Sequence, residues 1–358
     1  RKLGVSKTEF LKHKINDKFL FIRRAGDAFN KLVKDVLSAK APMKGELSGA
    51  QWSAEVIMDS RGKPTVKVTL KIGGITVEGF VPAGTSTGED EANTVDPEQA
   101  VRNILEKIWP MLAASRLDLG RHEDLVRADR MLQEAAGENF KDLGANATLP
   151  VSWALWKMAA KLHNKPLWLY FRMYEPRAVG KGLVYNYYNF GNGGEHSMQD
   201  KSERLGIDRM AFQELKLVTI SALTDRESLA QADLVDQIYK RKLIEVAGAR
   251  NVTRALERGL TAKGIADPYV MLDLLIQAAI EAGLKPGVDF KIALDIAANS
   301  FYNVDTKLYF ISPDKQFTAP QMSKYVIDFA DHFRNKYHPD IFTSFEDPLA
   351  ENEWDETA

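Results

Sequence analysis

Two apolar runs in this chain each end on an acid. In IFTSFEDPLAENEW (341–354) the run 341–345 delivers Glu346 and Asp347 just before Pro348. That pattern predicts a buried strand whose C-terminal end carries carboxylates into a loop, because proline cannot extend a ladder. KIALDIAANSFY (291–302) repeats the layout: Ile292, Ala293 and Leu294 lead to Asp295, and small and polar residues follow. Carboxylates at the ends of successive buried strands could share a divalent cation, and hard oxygen ligands suit Mg²⁺. The alternative is that each acid caps the next helix or pairs with a basic neighbour. Either way a buried charge needs a partner, since desolvating it alone is too costly.

Positioning such acids takes strands that alternate with helices. The pattern of acid-tipped strands and intervening helices implies a parallel α/β barrel, in which chemistry gathers at the C-terminal strand ends. A chain of 358 residues can bury the core this needs and is long enough for two or three domains. Hydrophobic residues make up 45% and charged residues 27%, with a net charge of −1, so nothing favours nucleic acid or an anionic membrane as partner. The absence of cysteine excludes disulfides, thiolate catalysis and Cys-ligated zinc. No apolar run is long enough to span a bilayer and no signal peptide is visible, which makes the cytosol the expected compartment.

Residues 1–50 read as a helical extension. Ser6 and Glu9 fit a capping box. Phe29, Leu32, Val33, Val36 and Leu37 form an amphipathic stripe, with Gly26 between the two helical stretches. The stripe either packs on its own domain or serves as a docking or dimerisation hairpin. In DSRGKPTVKVTLKIGGITVEGFVPAGTSTGEDEA (59–92), Val66, Val68 and Leu70 alternate with polar residues, and Gly73-Gly74 turns the chain into a second strand. Gly84 and Gly88 would give the following loop a lid's hinge freedom, unless it is a plain surface loop. Helices are expected from Pro97 to about Phe171, with Trp153, Trp156 and Leu162 in the core and Pro150 in a first helical turn. A further helix spans 266–283, with Asp267 as N-cap, Pro268 at its first position and Gly283 as terminator.

These stretches, taken in order, resemble the enolase family: DSRGKPTV and VPAGTSTG, the helical segment 143–171, NFGNGGEH (189–196), AFQELKLV (211–218), ALERG (255–259), ALDIAANSFY and SFEDPLAENEW. The resemblance implies an α/β fold, with an α+β capping domain over 51–178 followed by a (β/α) barrel over 179–358 that is incomplete in this chain. It also implies a glycolytic lyase that interconverts 2-phosphoglycerate and phosphoenolpyruvate with Mg²⁺. By the same resemblance Asp295 and Glu346 would hold the first Mg²⁺ and Ser86 the second. His196 would approach the substrate phosphate. Glu214, with Glu257 from the weakest motif, would assist loss of the hydroxyl.

The departures are specific. NTVDPE (93–98) stands where the family has Arg-Asp-Gly-Asp, Pro150 where it has glycine, and ALERG where it has Gly-Asp-Glu-Gly-Gly. The polar stretch 197–210 is longer than the family's. The third Mg²⁺-binding aspartate, the lysine base, the phosphate arginine and a further lysine come, in the family, from strands beyond the Glu346 motif. Activity is therefore expected only if those strands are supplied by a continuing chain or a partner. The other expectation is a catalytically degraded structural subunit, such as one of a ciliary axoneme. The extension resembles that of enolase-like proteins of sperm and cilia, which implies a homodimer or larger assembly formed through residues 1–50 and a place in the cytoplasm, cilium or flagellum.

Overall fold

Val66, Val68 and Leu70 are fully buried while Lys67 and Lys71 on the same strand are not, the alternation that a one-sided sheet requires. The structure, a computed structural model, describes residues 44–84, 91–174, 185–197 and 206–353. The chain divides into two compact units, Arg1–Lys181 and Gly182–Ala358.

In the first unit β1 (Gln51–Met58), β2 (Pro64–Ile72) and β3 (Ile75–Phe80) form an antiparallel sheet in that order. Gly73, at φ +57°, and Gly74 make the hairpin turn, pairing Ile72 with Ile75. Helix α1 (Pro97–Asn103) runs through a π turn (Ile104–Ile108) into α2 (Trp109–Ala114), followed by α3 (His122–Ala136), α4 (Ala145–Leu162) and α5 (Leu167–Tyr174). β3 meets α4 so closely that a Cβ on Gly79 would lie 1.9 Å from the Pro150 carbonyl oxygen. Pro150 sits in the second turn of α4, not the first, and so removes one hydrogen bond of that helix. Trp156 and Leu162 join the core as expected, but Trp153 is 38% exposed on the outer face of α4. Of the extension, residues 1–43, with the capping box and the apolar stripe, lie outside the described residues, as do Ser86 and Gly88. Leu47 is fully buried, and its N–H donates to the Leu117 carbonyl at 3.0 Å, so the end of the stretch 1–50 is core of the first unit.

The second unit is built on one six-stranded sheet. Its elements are β4 (Asn186–Asn192), α6 (Gly194–Ser197), β5 (Glu214–Thr219), α7 (Asp225–Ala247), β6 (Val252–Arg254), β7 (Leu260–Ala262), α8 (Pro268–Glu281) and β8 (Phe290–Asp295). A small antiparallel sheet of β9 (Tyr302–Asn303), β10 (Leu308–Ser312) and β11 (Lys315–Phe317) precedes α9 (Ala319–Lys336) and β12 (Phe342–Glu346). Asp267 caps α8 by accepting from the Tyr269 N–H, and Gly283, at φ +86°, follows its end.

The strand order is β12-β8-β5-β4-β7-β6. Two readings are corrected here. The sheet is open, as an incomplete barrel requires, but it is mixed and not parallel, because β5 runs antiparallel to both β4 and β8. And β12 is not buried like β8: it is an edge strand with a described neighbour on one side only, so Thr343 and Ser344 face solvent while Ile341 alone is fully buried.

Candidate active site

Reversal of β5 decides what the sheet can assemble. Glu346 and Asp295 end the parallel strands β12 and β8 and are register partners. Glu214 begins β5, and since β5 is antiparallel its first residue pairs with Asp295, and on its other side with Asn192 at the end of β4. Three carboxylates thus stand in one row across adjacent strands, which the expectation of acids at C-terminal strand ends alone would not have produced. Asp295 and Glu214 are buried, whereas the Glu346 side chain is 58% exposed.

A second group gathers around Glu214. The loop after β4 turns at Gly193 and Gly194, packed so tightly on 210–213 that a Cβ on Gly193 would lie 2.1 Å from the Phe212 carbonyl. Their N–H groups donate to Gln213 and Met210 carbonyls, which fixes the short helix α6 and with it His196. His196 Nδ1 lies 3.1 Å from Glu214 Oε1, while its buried Nε2 has no hydrogen-bond partner among the described residues. Glu257 arrives from a tight turn between β6 and β7 in which both it and Arg258 hold positive φ, at 54° and 67°. Such strain in non-glycine residues collects at functional sites. The turn is pressed onto β4: a Cβ on Gly259 would lie 2.2 Å from Asn192 Oδ1. Glu257 is exposed, as a surface glutamate would be, but it stands on this strained turn and not on a regular helix. Its ligand atom and those of His196 and Glu214 lie within 4.8 Å of one another, a trio that could hold a metal ion.

The electrostatics separate the two glutamates. Burial pushes Glu214 up, but hydrogen bonds from His196 and Lys216 more than offset it and bring its carboxyl down to about 2. Burial and the Glu214 carboxylate push Glu257 up. Glu214 is therefore held ionised, while its charge raises the proton affinity of Glu257 beside it. The hydrogen bond to Glu214 raises the His196 pKa against the effect of burial.

Lys216 is the residue that the motifs did not single out. It lies two residues after Glu214 on the same strand face, and that period-two spacing was the available signal. Its Nζ is 2.9 Å from Glu214 Oε2, 3.0 Å from Glu346 Oε2 and 3.9 Å from Asp295 Oδ2. Burial opposes its charge, but the hydrogen bonds to Glu214 and Glu346 outweigh that and hold its pKa above the ordinary lysine value. Even so, Asp295 is pushed up to about 6, by burial first and then by the Glu346 charge, with only Gln213 Nε2, at 3.3 Å, as a further donor.

Comparison with known families fits this geometry. Residues 51–171 match the family model described as the enolase N-terminal domain, and residues 183–358 match the one described as the enolase C-terminal TIM barrel domain. The chain belongs to the enolase family. Of the residues that enolase motifs point to, the structure brings together His196, Glu214, Glu257, Asp295 and Glu346 at one end of one sheet. Ser86 falls among the residues not described.

The donor set suits a hard divalent cation. Asp295 and Glu346 offer oxygen ligands from neighbouring strands in register, and the raised pKa of Asp295 marks a shortage of positive charge that one lysine does not meet. The expected alternative, pairing with a basic neighbour, is realised as well, through Lys216.

Proposed function

We propose that the protein is an enolase-type lyase interconverting 2-phosphoglycerate and phosphoenolpyruvate, a step of glycolysis, with Mg²⁺ as cofactor. The observation that carries this reading is the cluster of His196, Glu214 and Glu257, with ligand atoms within 4.8 Å of one another, beside the register-paired Asp295 and Glu346. Dehydration removes a proton from the carbon next to the substrate carboxylate and the hydroxyl from the adjacent carbon. Glu257 donates its proton to the departing hydroxyl, which leaves as water. Glu214 raises the proton affinity of Glu257 and orients His196. The unpartnered Nε2 of His196 is available to the substrate phosphate. Lys216 is held protonated by its carboxylates, so the carbon-bound proton goes to a base outside this cluster. Asp295 and Glu346 would hold one Mg²⁺ and Ser86 a second. When bound, Mg²⁺ supplies the positive charge that offsets the second negative charge built on the substrate carboxylate.

The test is Mg²⁺-dependent formation of phosphoenolpyruvate by the full-length protein, followed by its ultraviolet absorbance. Glu257→Gln keeps a hydrogen-bond donor to Glu214 but removes the transferable proton, and should lower turnover by ~10²–10⁴-fold with the fold intact. Folded, Mg²⁺-loaded wild type that gives no signal overturns the reading. One observation favours a second reading, an enolase-like structural subunit docked through the extension: Lys216 already sits on the carboxylates a catalytic cation would use.

A further inference from the structure

Lys216 reaches its three carboxylates along a prepared path. In the row one step down the sheet from Glu214, Asp295 and Glu346, Lys216 pairs with Ala293, and Ala293 with Ser344. Both neighbours are small, so the lysine stem crosses β8 without obstruction and its ammonium arrives at Glu346, two strands away. Leu215 and Leu217, which flank it in sequence, point to the other face and are fully buried, fixing the strand's orientation. The Lys216 side chain is 19% exposed, so most of its contact with water has been exchanged for carboxylate oxygens.

We propose that Lys216 is a tethered competitor for the divalent cation, closing the Asp295–Glu346 pair when metal is absent and leaving it when metal binds. This rests on the reading that Asp295 and Glu346 are cation ligands. A Mg²⁺ ion bonds carboxylate oxygens at about 2.0–2.1 Å. The ammonium lies 3.0 Å from Glu346 Oε2 and 3.9 Å from Asp295 Oδ2, inside the space such an ion and its hydration shell would fill. Two like charges do not share that space, so metal uptake requires Lys216 to swing away toward solvent, where only Glu214 still holds it. The consequence is a site partly neutralised without metal, which loads metal more weakly than the bare carboxylates would.

Mn²⁺ alone is the probe, with its binding to the full-length protein read by electron paramagnetic resonance and by the rise in melting temperature. Lys216→Met should bind Mn²⁺ more tightly than wild type, by a factor of roughly 5–150, the usual size of a coupling between two binding events, and its melting temperature should rise more with added metal. Lys216→Gln, which keeps a polar head, repeats the measurement if the methionine variant does not fold. In wild type, amine labelling of Lys216 read by mass spectrometry should accelerate when Mn²⁺ is added. Equal Mn²⁺ affinity in wild type and variant, or binding that leaves Lys216 labelling unchanged, overturns the competition and leaves the cation site standing. No Mn²⁺ binding by any of the proteins overturns the cation site itself, and the competition with it.

Discussion

Replacing Glu214 by glutamine should destabilise the second unit by an amount that depends on pH. The wild-type carboxyl is held at about 2 against an ordinary 4.5. At about 1.4 kcal/mol per tenfold change in proton affinity, that displacement stabilises the folded state by about 3.5 kcal/mol at most. Part is returned in the variant: without the charge at 214, Glu257 ionises more readily and Asp295 loses one repulsive neighbour. The expected loss at neutral pH is therefore about 1–3 kcal/mol. The sign follows from the depressed pKa. The contribution of Glu214 is fully present above its unfolded value, near 4.5, and is lost as pH falls toward about 2. Protonated glutamate and glutamine have nearly the same shape, so wild type and variant should converge in that window.

A chain of two units need not unfold in one step, so the measurement should be local. Hydrogen exchange of the β5 and β8 amides, read by mass spectrometry from pH 7 to pH 3 and corrected for intrinsic exchange, gives the opening free energy of this sheet. A deficit in the variant that is the same at pH 7 and pH 3 would refute the assignment of the ionised form to Glu214. So would the lack of any deficit at pH 7.

Two further outcomes test the frame around the site. Asp273 joins α8 to α9 through Lys336 Nζ at 2.6 Å and the Tyr337 hydroxyl at 2.7 Å; burial raises its pKa, these bonds lower it further, and the net is below the ordinary value. Asp273→Asn should cost about 1–2 kcal/mol in urea denaturation at neutral pH, a loss that fades once pH drops below the carboxylate range. Deleting residues 1–43, and not beyond, should leave the melting of both units unchanged while abolishing self-association or docking in sedimentation. Removing Leu47 as well should unfold the first unit, because that side chain is core.

Several parts of this architecture were legible from local chemistry. The hairpin 64–80 followed from strict alternation and a Gly-Gly turn, and α8 from an Asp-Pro start and a glycine stop. The pairing of Asp295 with Glu346 followed from two apolar runs ending in acids. What could not be read was strand direction. Alternation shows which face a residue takes but not which way the strand runs, so acids at strand ends read as a parallel barrel. IFTSF is apolar enough for an interior strand, and β12 is exposed here because β8 alone lies beside it among the described residues. Lys216 went unnoticed because its partners at 295 and 346 are far away in sequence. Glu257 could not be weighed from its degraded motif, because its role depends on a strained turn and on its nearness to Glu214 and His196.

The reversed strand is what makes the site. Had β5 run parallel to β8, Glu214 would have paired with the Phe290 end, five residues from Asp295. At about 3.3 Å per residue, that is roughly 16 Å away. Lys216, two residues on, would have missed both Asp295 and Glu346. Antiparallel entry instead brings a strand's first residue among its neighbours' last ones, so a loop-proximal acid and a mid-strand lysine meet the same carboxylates. It also ties their chemistry to the loop that carries His196, which β4 and β5 hold between them. In this cluster of four acids, one lysine and one histidine the charges find partners: Glu214 in His196 and Lys216, Glu346 in Lys216, and Glu257 is open to solvent. Asp295 is the one left short, and that shortage is where a cation would act.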